Sequence, residues 1–239
     1  MISATIITLN EQEKIGKALE SLEGLAQEVI VVDSGSNDKT LEIAKKSGAK
    51  VYIREFDNFA NQKNYALLKT TGDWVLSIDA DEEITPALKE EIKKAVKNSE
   101  YAGYLIPRRN FILGKEIKYS RWSPDRHIWL WRKNSGIWVG DVHEEVEVNG
   151  KVGILKNSKI HNSHETLSSF MKANNFYSEL EAKNLKFSLW RLFMDPFLEF
   201  FIRYIYKKGF LDGKEGFILA YMMSVYKLTV WTKAWEKTQ

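Results

Sequence analysis

Four short apolar runs rich in β-branched residues punctuate the first hundred positions: Ser3–Leu9, Glu28–Asp33, Lys50–Ile53 and Trp74–Asp79. The stretches between them carry helical spacing and are too long for hairpins. Strands joined by helical crossovers, and so a mostly parallel α/β sheet, are predicted. Asn10 stands three residues ahead of Glu13, a capping-box pattern that predicts a helix through Ile15, Leu19 and Leu22 to Gly24. Thr85-Pro86 pairs a hydroxyl cap with a proline where no amide is needed, which predicts a helix ending near Asn98.

After Tyr101 the pattern turns irregular and aromatic. Trp122, Trp129, Trp131 and Trp138 sit among alternating stretches such as His127–Trp131 and Glu145–Val148, which predict added strands and long loops. No repeat or low-complexity linker separates residues 1–100 from 101–165, so these read as two halves of one catalytic domain, followed by a helical segment over 166–239. In that segment Asp195-Pro196 reads as a cap and first turn, and Lys207-Lys208-Gly209 as a basic stop. A helix over Pro196–Lys208 is expected, with Glu199, Arg203 and Lys207 on one stripe and aromatic or aliphatic residues over the rest. The longest uncharged run, Gly216–Tyr226, has 11 residues, against the roughly 20 needed to span a bilayer.

Composition narrows the function classes. With 239 residues, 44% hydrophobic and 28% charged, the chain is long enough for a real core and unlike a disordered or fibrous protein. A net charge of +3 is too balanced for a protein that grips nucleic acid through phosphates. The excess is local: Leu185–Gln239 holds nine basic and five acidic residues, with 14 of the 30 aromatics. That composition suits a lipid interface; helices packed on protein are the alternative. The absence of cysteine excludes disulfides and thiolate chemistry, and the amino-terminal run lacks a basic leader, so a cytoplasmic chain is expected.

The sharpest chemical signal is Asp79-Ala80-Asp81-Glu82, directly after an apolar strand. Open α/β sheets bind ligands at the carboxyl ends of their strands, and two carboxylates there suit a hard cation, Mg²⁺ or Mn²⁺, with one of them free for a ribose hydroxyl. Thr8-Leu9-Asn10-Glu11 and Asp33-Ser34-Gly35-Ser36-Asn37-Asp38 end the first two strands on the same rim. Ser36 and Asp38 read better as the turn and cap of the next helix. Arg126 and Arg132 bracket the strand His127–Trp131, where either a diphosphate clamp or a surface role is open.

Together with Asn58-Phe59-Ala60-Asn61-Gln62-Lys63-Asn64 and Trp138-Val139-Gly140-Asp141-Val142-His143-Glu144, these pieces resemble inverting glycosyltransferase family 2, over roughly residues 1–165. The Val-His-Glu element, His161 and Gly209-Phe210-Leu211-Asp212-Gly213 look most like the branch of lipopolysaccharide core β-1,4-glucosyltransferases. The resemblance implies a glycosyltransferase A-type fold, a Rossmann-like mostly parallel sheet flanked by helices, with amphipathic helices at the carboxyl end.

By position, the resemblance implies that Thr8, Asn10 and Glu11 line the nucleotide site and that Asp33 holds base or ribose. Lys63, where many relatives carry arginine, meets base or phosphate. Asp79 and Asp81 meet ribose and the diphosphate-bound metal, with Asp81 the direct ligand, and His161 completes the metal or contacts phosphate. Glu144 matches the family's base. Glu145 is its rival, since strand neighbours face opposite ways, and His143 is a hydrogen-bonding partner. His164 is expected at the start of the Thr166 helix.

The implied reaction moves a hexose, glucose from UDP-glucose, onto a saccharide of a lipopolysaccharide or other lipid-linked acceptor. The basic aromatic tail would hold the enzyme at the inner membrane face. A nucleotidyltransferase of similar fold, a glycoside hydrolase using Asp81 and Glu144, and a non-catalytic membrane-associated nucleotide-sugar-binding module are the rival readings. The lack of a glycine-rich basic phosphate loop weighs against the first.

Overall fold

A computed structural model describes residues 1–98, 100–140, 144–183 and 185–239. The chain divides into two compact units: Met1–Arg108 with Arg126–His161, and Arg109–Asp125 with Asn162–Gln239. Residues 109–125 therefore group with the carboxyl-terminal helices, and 126–161 with the first hundred residues.

In the first unit the expected strands form as β1 (Ile2–Thr8), β2 (Glu28–Asp33), β3 (Lys50–Ile53) and β4 (Trp74–Ser77). They alternate with helices α1 (Ile15–Ser21), α2 (Thr40–Lys46) and α3 (Phe59–Lys69). β1 lies between β2 and β4, and all pairings among these four are parallel. Its near-continuous burial is what a strand covered on both faces requires. Then follow β5 (Glu82–Glu83), α4 (Pro86–Ala95) and β6 (Gly103–Ile112), and after them β7 (Lys115–Ile117) and β8 (Asp125–Arg132). The hairpin of β9 (Gly136–Val139) and β10 (Glu145–Val148) leads to β11 (Val152–Ile154) and β12 (Lys159–His164).

The sheet runs β3-β2-β1-β4-β8-β6-β12-β5, with β11 beside β6. Its core gathers Ile6, Val31, Leu76, Leu88, Ile92 and Trp131. Thr85 caps α4 by accepting from the Leu88 amide, with Pro86 in the first turn, as the sequence predicts. The capping box at Asn10 does not form. Asn10 has φ 55°, its side chain accepts from the Asn37 amide, and α1 begins at Ile15 without a side-chain cap. Its capping oxygen is spent on tying two loops together.

The second unit holds β7, paired with Asn110–Ile112, and three helices: α5 (Leu167–Ala182), α6 (Leu189–Phe201) and α7 (Lys214–Glu236). α6 starts seven residues before the expected Pro196, which lies inside it. Asp195 does not cap it, because its carboxylate accepts from Trp231 Nε1 at 2.8 Å. Beyond Phe201 the helix loosens into a π-turn over Ile202–Tyr206 and stops at Lys208, itself left-handed at φ 56°. Gly209 and Gly216 serve close approach, since a Cβ on Gly216 would run into the Gly209 carbonyl. In the Gly209–Gly213 motif Asp212 is buried and accepts from the Lys118 and Tyr119 amides, a structural role.

The amphipathy of α6 is turned inside out. Glu199 is buried and pairs with Arg203 at 2.5 Å and Arg121 at 3.1 Å. Trp190, Phe193 and Phe197 are 71%, 69% and 65% exposed. Phe217 and Tyr221 of α7 continue this surface, with Phe217 against Phe200 and Tyr204. Among the described residues no helix is long and apolar enough to cross a membrane.

Candidate active site

The first unit brings the carboxyl ends of β1, β2 and β4 to one rim, since Thr8 is in register with Asp33 and Ser77 with Thr5. The loop after β1 is laced to the loop after β2. The Asn10 amide donates to Ser36 Oγ, the Glu11 amide to Thr40 Oγ1 and the Gln12 amide to Asp38 Oδ2, at 2.8, 2.8 and 3.2 Å. Asp38 also accepts from the Thr40 amide, so Ser36 and Asp38 build the turn, but neither caps α2, whose N-cap is Lys39 without a side-chain bond.

Asp33 is fully buried beneath that turn. It accepts from the Gly35 and Ser36 amides, both at 2.8 Å, and from Ser36 Oγ at 2.5 Å. Its oxygens thus shape the rim, where the resemblance implied a contact with base or ribose. Thr8 Oγ1 is buried with no hydrogen-bond partner among the described residues, a hydroxyl left over for a ligand at the strand end.

Past β4 the chain turns so that Glu82 folds back on Asp79. The Asp79 amide donates to Glu82 Oε2 at 2.8 Å, and the Glu82 amide to the Asp79 carbonyl at 3.0 Å. β5 pairs antiparallel with β12, setting Glu82 opposite His161. This explains why Asp81 Oδ2 lies 3.4 Å from His161 Nε2; Lys14 Nζ is 3.9 Å away on the same oxygen.

Lys159, two residues before His161 and on the same strand face, is fully buried, ion-paired with Glu82, and 3.3 Å from the Trp129 ring centre. Burial pulls its pKa down to about 8 against the attraction of Glu82. Arg108 pairs with the other Glu82 oxygen at 3.3 Å.

Lys63 of α3 joins the two candidate functions. Its Nζ donates to Glu144 Oε1 at 2.8 Å and lies 3.2 Å from Asp79 Oδ1, with the Trp138 ring centre at 4.5 Å. Burial opposes its charge, but Asp79 and Glu144 outweigh burial and hold it protonated. Burial likewise works against the Asp79 carboxylate, yet Lys63, then Lys159 and Arg108, keep its pKa below the usual range. Glu145, first residue of β10, is exposed, so the structure brings Glu144 and not Glu145 to the Asp79 rim. His143 lies outside the described residues. Arg126 is exposed, and Arg132 is committed to the Tyr101 and Asn98 carbonyls and the Trp74 ring. His164 ends β12 with its ring 5.3 Å from Phe170.

The described side chains that could hold a divalent cation at this rim are Asp81 and His161, whose Oδ2 and Nε2 lie 3.4 Å apart. Burial, and then the charge of Asp81, push Glu11 up to about 7, with Asp38 and Asp79 adding to the effect and Lys14 opposing it. Among the described residues no three His, Asp, Glu or Cys side chains form a ready cluster. Asp81 with His161 supplies a pair, and hard cations in phosphate-transfer sites complete their shell with phosphate and water oxygens. Arg108 and Lys159 escape a sequence reading, as do the particular roles of Glu82 and Asn64, which stand in the quoted motifs; for Lys159 the only signal is its strand spacing from His161.

Comparison with known proteins gives the family and the fold. Residues 3–148 match the family model described as Glycosyl transferase family 2. Lipopolysaccharide core biosynthesis glycosyltransferase LpsC of Rhizobium meliloti is 30% identical over 251 residues, covering 99% of this chain and 92% of the relative. An uncharacterized glycosyltransferase of Rickettsia conorii is 30% identical over 255 residues, covering 99% and 90%.

Among solved structures, S. aureus TarS 1–349 in complex with UDP-GlcNAc has a TM-score of 0.52 at 18% identity, covering 95% of this chain and 81% of that one. Glucosyl-3-phosphoglycerate synthase from Mycobacterium tuberculosis, in complex with Mn²⁺, uridine-diphosphate and glucosyl-3-phosphoglycerate, has a TM-score of 0.50 at 18% identity, covering 76% and 77%. These likenesses show the fold: an α/β architecture of glycosyltransferase A type with a mostly parallel sheet flanked by helices.

Proposed function

Because the chain belongs to glycosyl transferase family 2, we propose that it is an inverting, divalent-cation-assisted enzyme that moves a hexose, glucose from UDP-glucose, onto a saccharide of a lipopolysaccharide or other lipid-linked glycan precursor. The observation that carries this reading is the meeting of Asp79 and Glu144 on one buried ammonium, 3.2 and 2.8 Å from Lys63 Nζ. A strand-end donor site and a proton-accepting carboxylate then face the same point.

The acceptor hydroxyl attacks the anomeric carbon from the side opposite the diphosphate. A new carbon–oxygen bond forms as the bond to the phosphate oxygen breaks, and UDP leaves with that electron pair. Glu144 takes the hydroxyl proton, a role that requires it within about 2.6–3.2 Å of the attacking oxygen. Asp81 and His161 would hold the cation, which when bound supplies positive charge to the leaving diphosphate. Thr8 and Asn10 border the nucleotide, and Asp33 acts beneath them by holding the loop. The lipopolysaccharide acceptor follows the relative LpsC.

The exposed aromatic surface of α6 and α7, among basic residues, supports peripheral attachment to the inner membrane face. Its Trp and Tyr side chains suit the headgroup level.

The test is calorimetric UDP binding with Mn²⁺ beside a UDP-release assay on a panel of nucleotide sugars. Asp81→Ala should lose cation-dependent UDP binding. Glu144→Gln should bind UDP normally and lose turnover by about 10²–10⁴-fold, the range for a general base. Wild-type turnover in Glu144→Gln would remove the assignment, and release of pyrophosphate in place of UDP would make the enzyme a nucleotidyltransferase.

A further inference from the structure

The resemblance gave Lys63 to the nucleotide. Its surroundings leave little room for that. Lys63 is 4% exposed, two of its directions are taken by carboxylates, and Trp138 and Trp129 flank it at 4.5 and 5.4 Å. The helix that carries it is pinned on either side. Gln62 is fully buried, with its amide nitrogen on Ser34 Oγ and the Arg54 carbonyl. Asn64 donates to the Trp138 carbonyl at 2.9 Å and accepts from the Trp138 amide at 3.0 Å, which fixes β9 against α3. Glu144 stands just before β10, whose first residue pairs with Val139 of β9. Its carboxylate is bound to a buried ammonium held between two carboxylates and two indole rings.

We infer that Lys63 is a positioning residue that acts through Glu144: it aims the base carboxylate at the acceptor and keeps it beside Asp79, and it is not a contact for base or phosphate. The inference rests on the reading of Glu144 as the base. An ammonium locked in this way fixes the carboxylate before substrate arrives. Without it the Glu144 carboxylate would lose this ion pair, and a misplacement of about 1 Å is enough to cost a large factor in rate.

A double-mutant cycle on the full chain tests this, using Lys63→Met, Lys63→Arg, Glu144→Gln and Lys63→Met/Glu144→Gln. The readouts are kcat, KM for UDP-glucose, calorimetric UDP affinity with Mn²⁺, and thermal unfolding to confirm folding. Lys63→Met should lower kcat by about 100-fold or more with UDP affinity within about threefold of wild type, and should cost nothing further in the Glu144→Gln background. Lys63→Arg should restore at least about tenfold of the loss, since its fork keeps the ion pair.

A Lys63→Met enzyme whose UDP affinity falls as far as its rate overturns the inference, as does a loss that repeats in full on Glu144→Gln. Should Lys63→Met fail to fold, Lys63→Arg decides: preserved UDP affinity with substantial kcat supports the role, and weakened UDP binding with unchanged kcat contradicts it. Full activity in Glu144→Gln overturns the base assignment itself, a result distinct from any behaviour of the Lys63 variants.

Discussion

Glu28, the first residue of β2, and Glu11, in the loop after β1, are carboxylates whose titrations pull stability in opposite directions. Burial works against the Glu28 charge, but Lys50, Ser3 and Thr71 together hold its pKa at about 2. Glu28 is ionised in both states above 4.5, so its contribution is complete there and is lost as pH falls from 4.5 toward about 2. Glu28→Gln should flatten that acid limb in urea denaturation, removing on the order of 2–3 kcal/mol at neutral pH.

Glu11 is raised by burial and by Asp81 to about 7, so between 4.5 and about 7 the unfolded chain ionises while the folded one stays protonated. Stability should decline as pH rises through that window. Glu11→Gln should abolish the decline, and an unchanged slope would show that Glu11 is not the group responsible. The acids at the strand ends were legible because an apolar run followed by Asp-x-Asp is a local pattern. The pairing of Lys159 with Glu82 was not, since it spans 77 positions and is created by the β5–β12 pairing.

Crossover strands and the Thr85-Pro86 helix follow from local periodicity and capping, and the structure has them. The start of α6 does not, because the proline signal at Pro196 is overridden by packing: Asp195 turns to Trp231, and the helix runs through. In the same way Asn10 bonds across to Asn37 in place of capping its own helix. The clamp between α3 and β9 ties the helix that carries Lys63 to the hairpin that leads to Glu144. Asn64→Leu removes both of its bonds to Trp138 and leaves two backbone groups unpaired, each worth about 1–3 kcal/mol when buried. It should lower the unfolding midpoint and depress kcat more than UDP affinity. Equal loss of both would mean that the clamp serves the nucleotide site and not the base.

Two compact units carry different properties, the first with every residue of the candidate site and the second with the exposed aromatic surface. The tail's basic and aromatic bias was plain in the composition, whereas the inversion of α6 was not, because a charged stripe reads as solvent-facing until its partners Arg121 and Ser120 are known. Replacing Trp190, Phe193 and Phe197 together by Ser should reduce co-sedimentation with anionic vesicles by about tenfold while leaving UDP–Mn²⁺ binding intact. Undiminished sedimentation would assign that surface to protein contacts.

The central claim, that donor and base meet on the rim around Asp79, is tested most directly by anomalous diffraction from crystals grown with Mn²⁺ and UDP. The predicted result is a manganese peak on Asp81 and His161, with the diphosphate beside it and Glu144 facing the position of the sugar. A manganese–UDP complex bound away from Asp81, or one separated from Glu144 by the protein core, would contradict it.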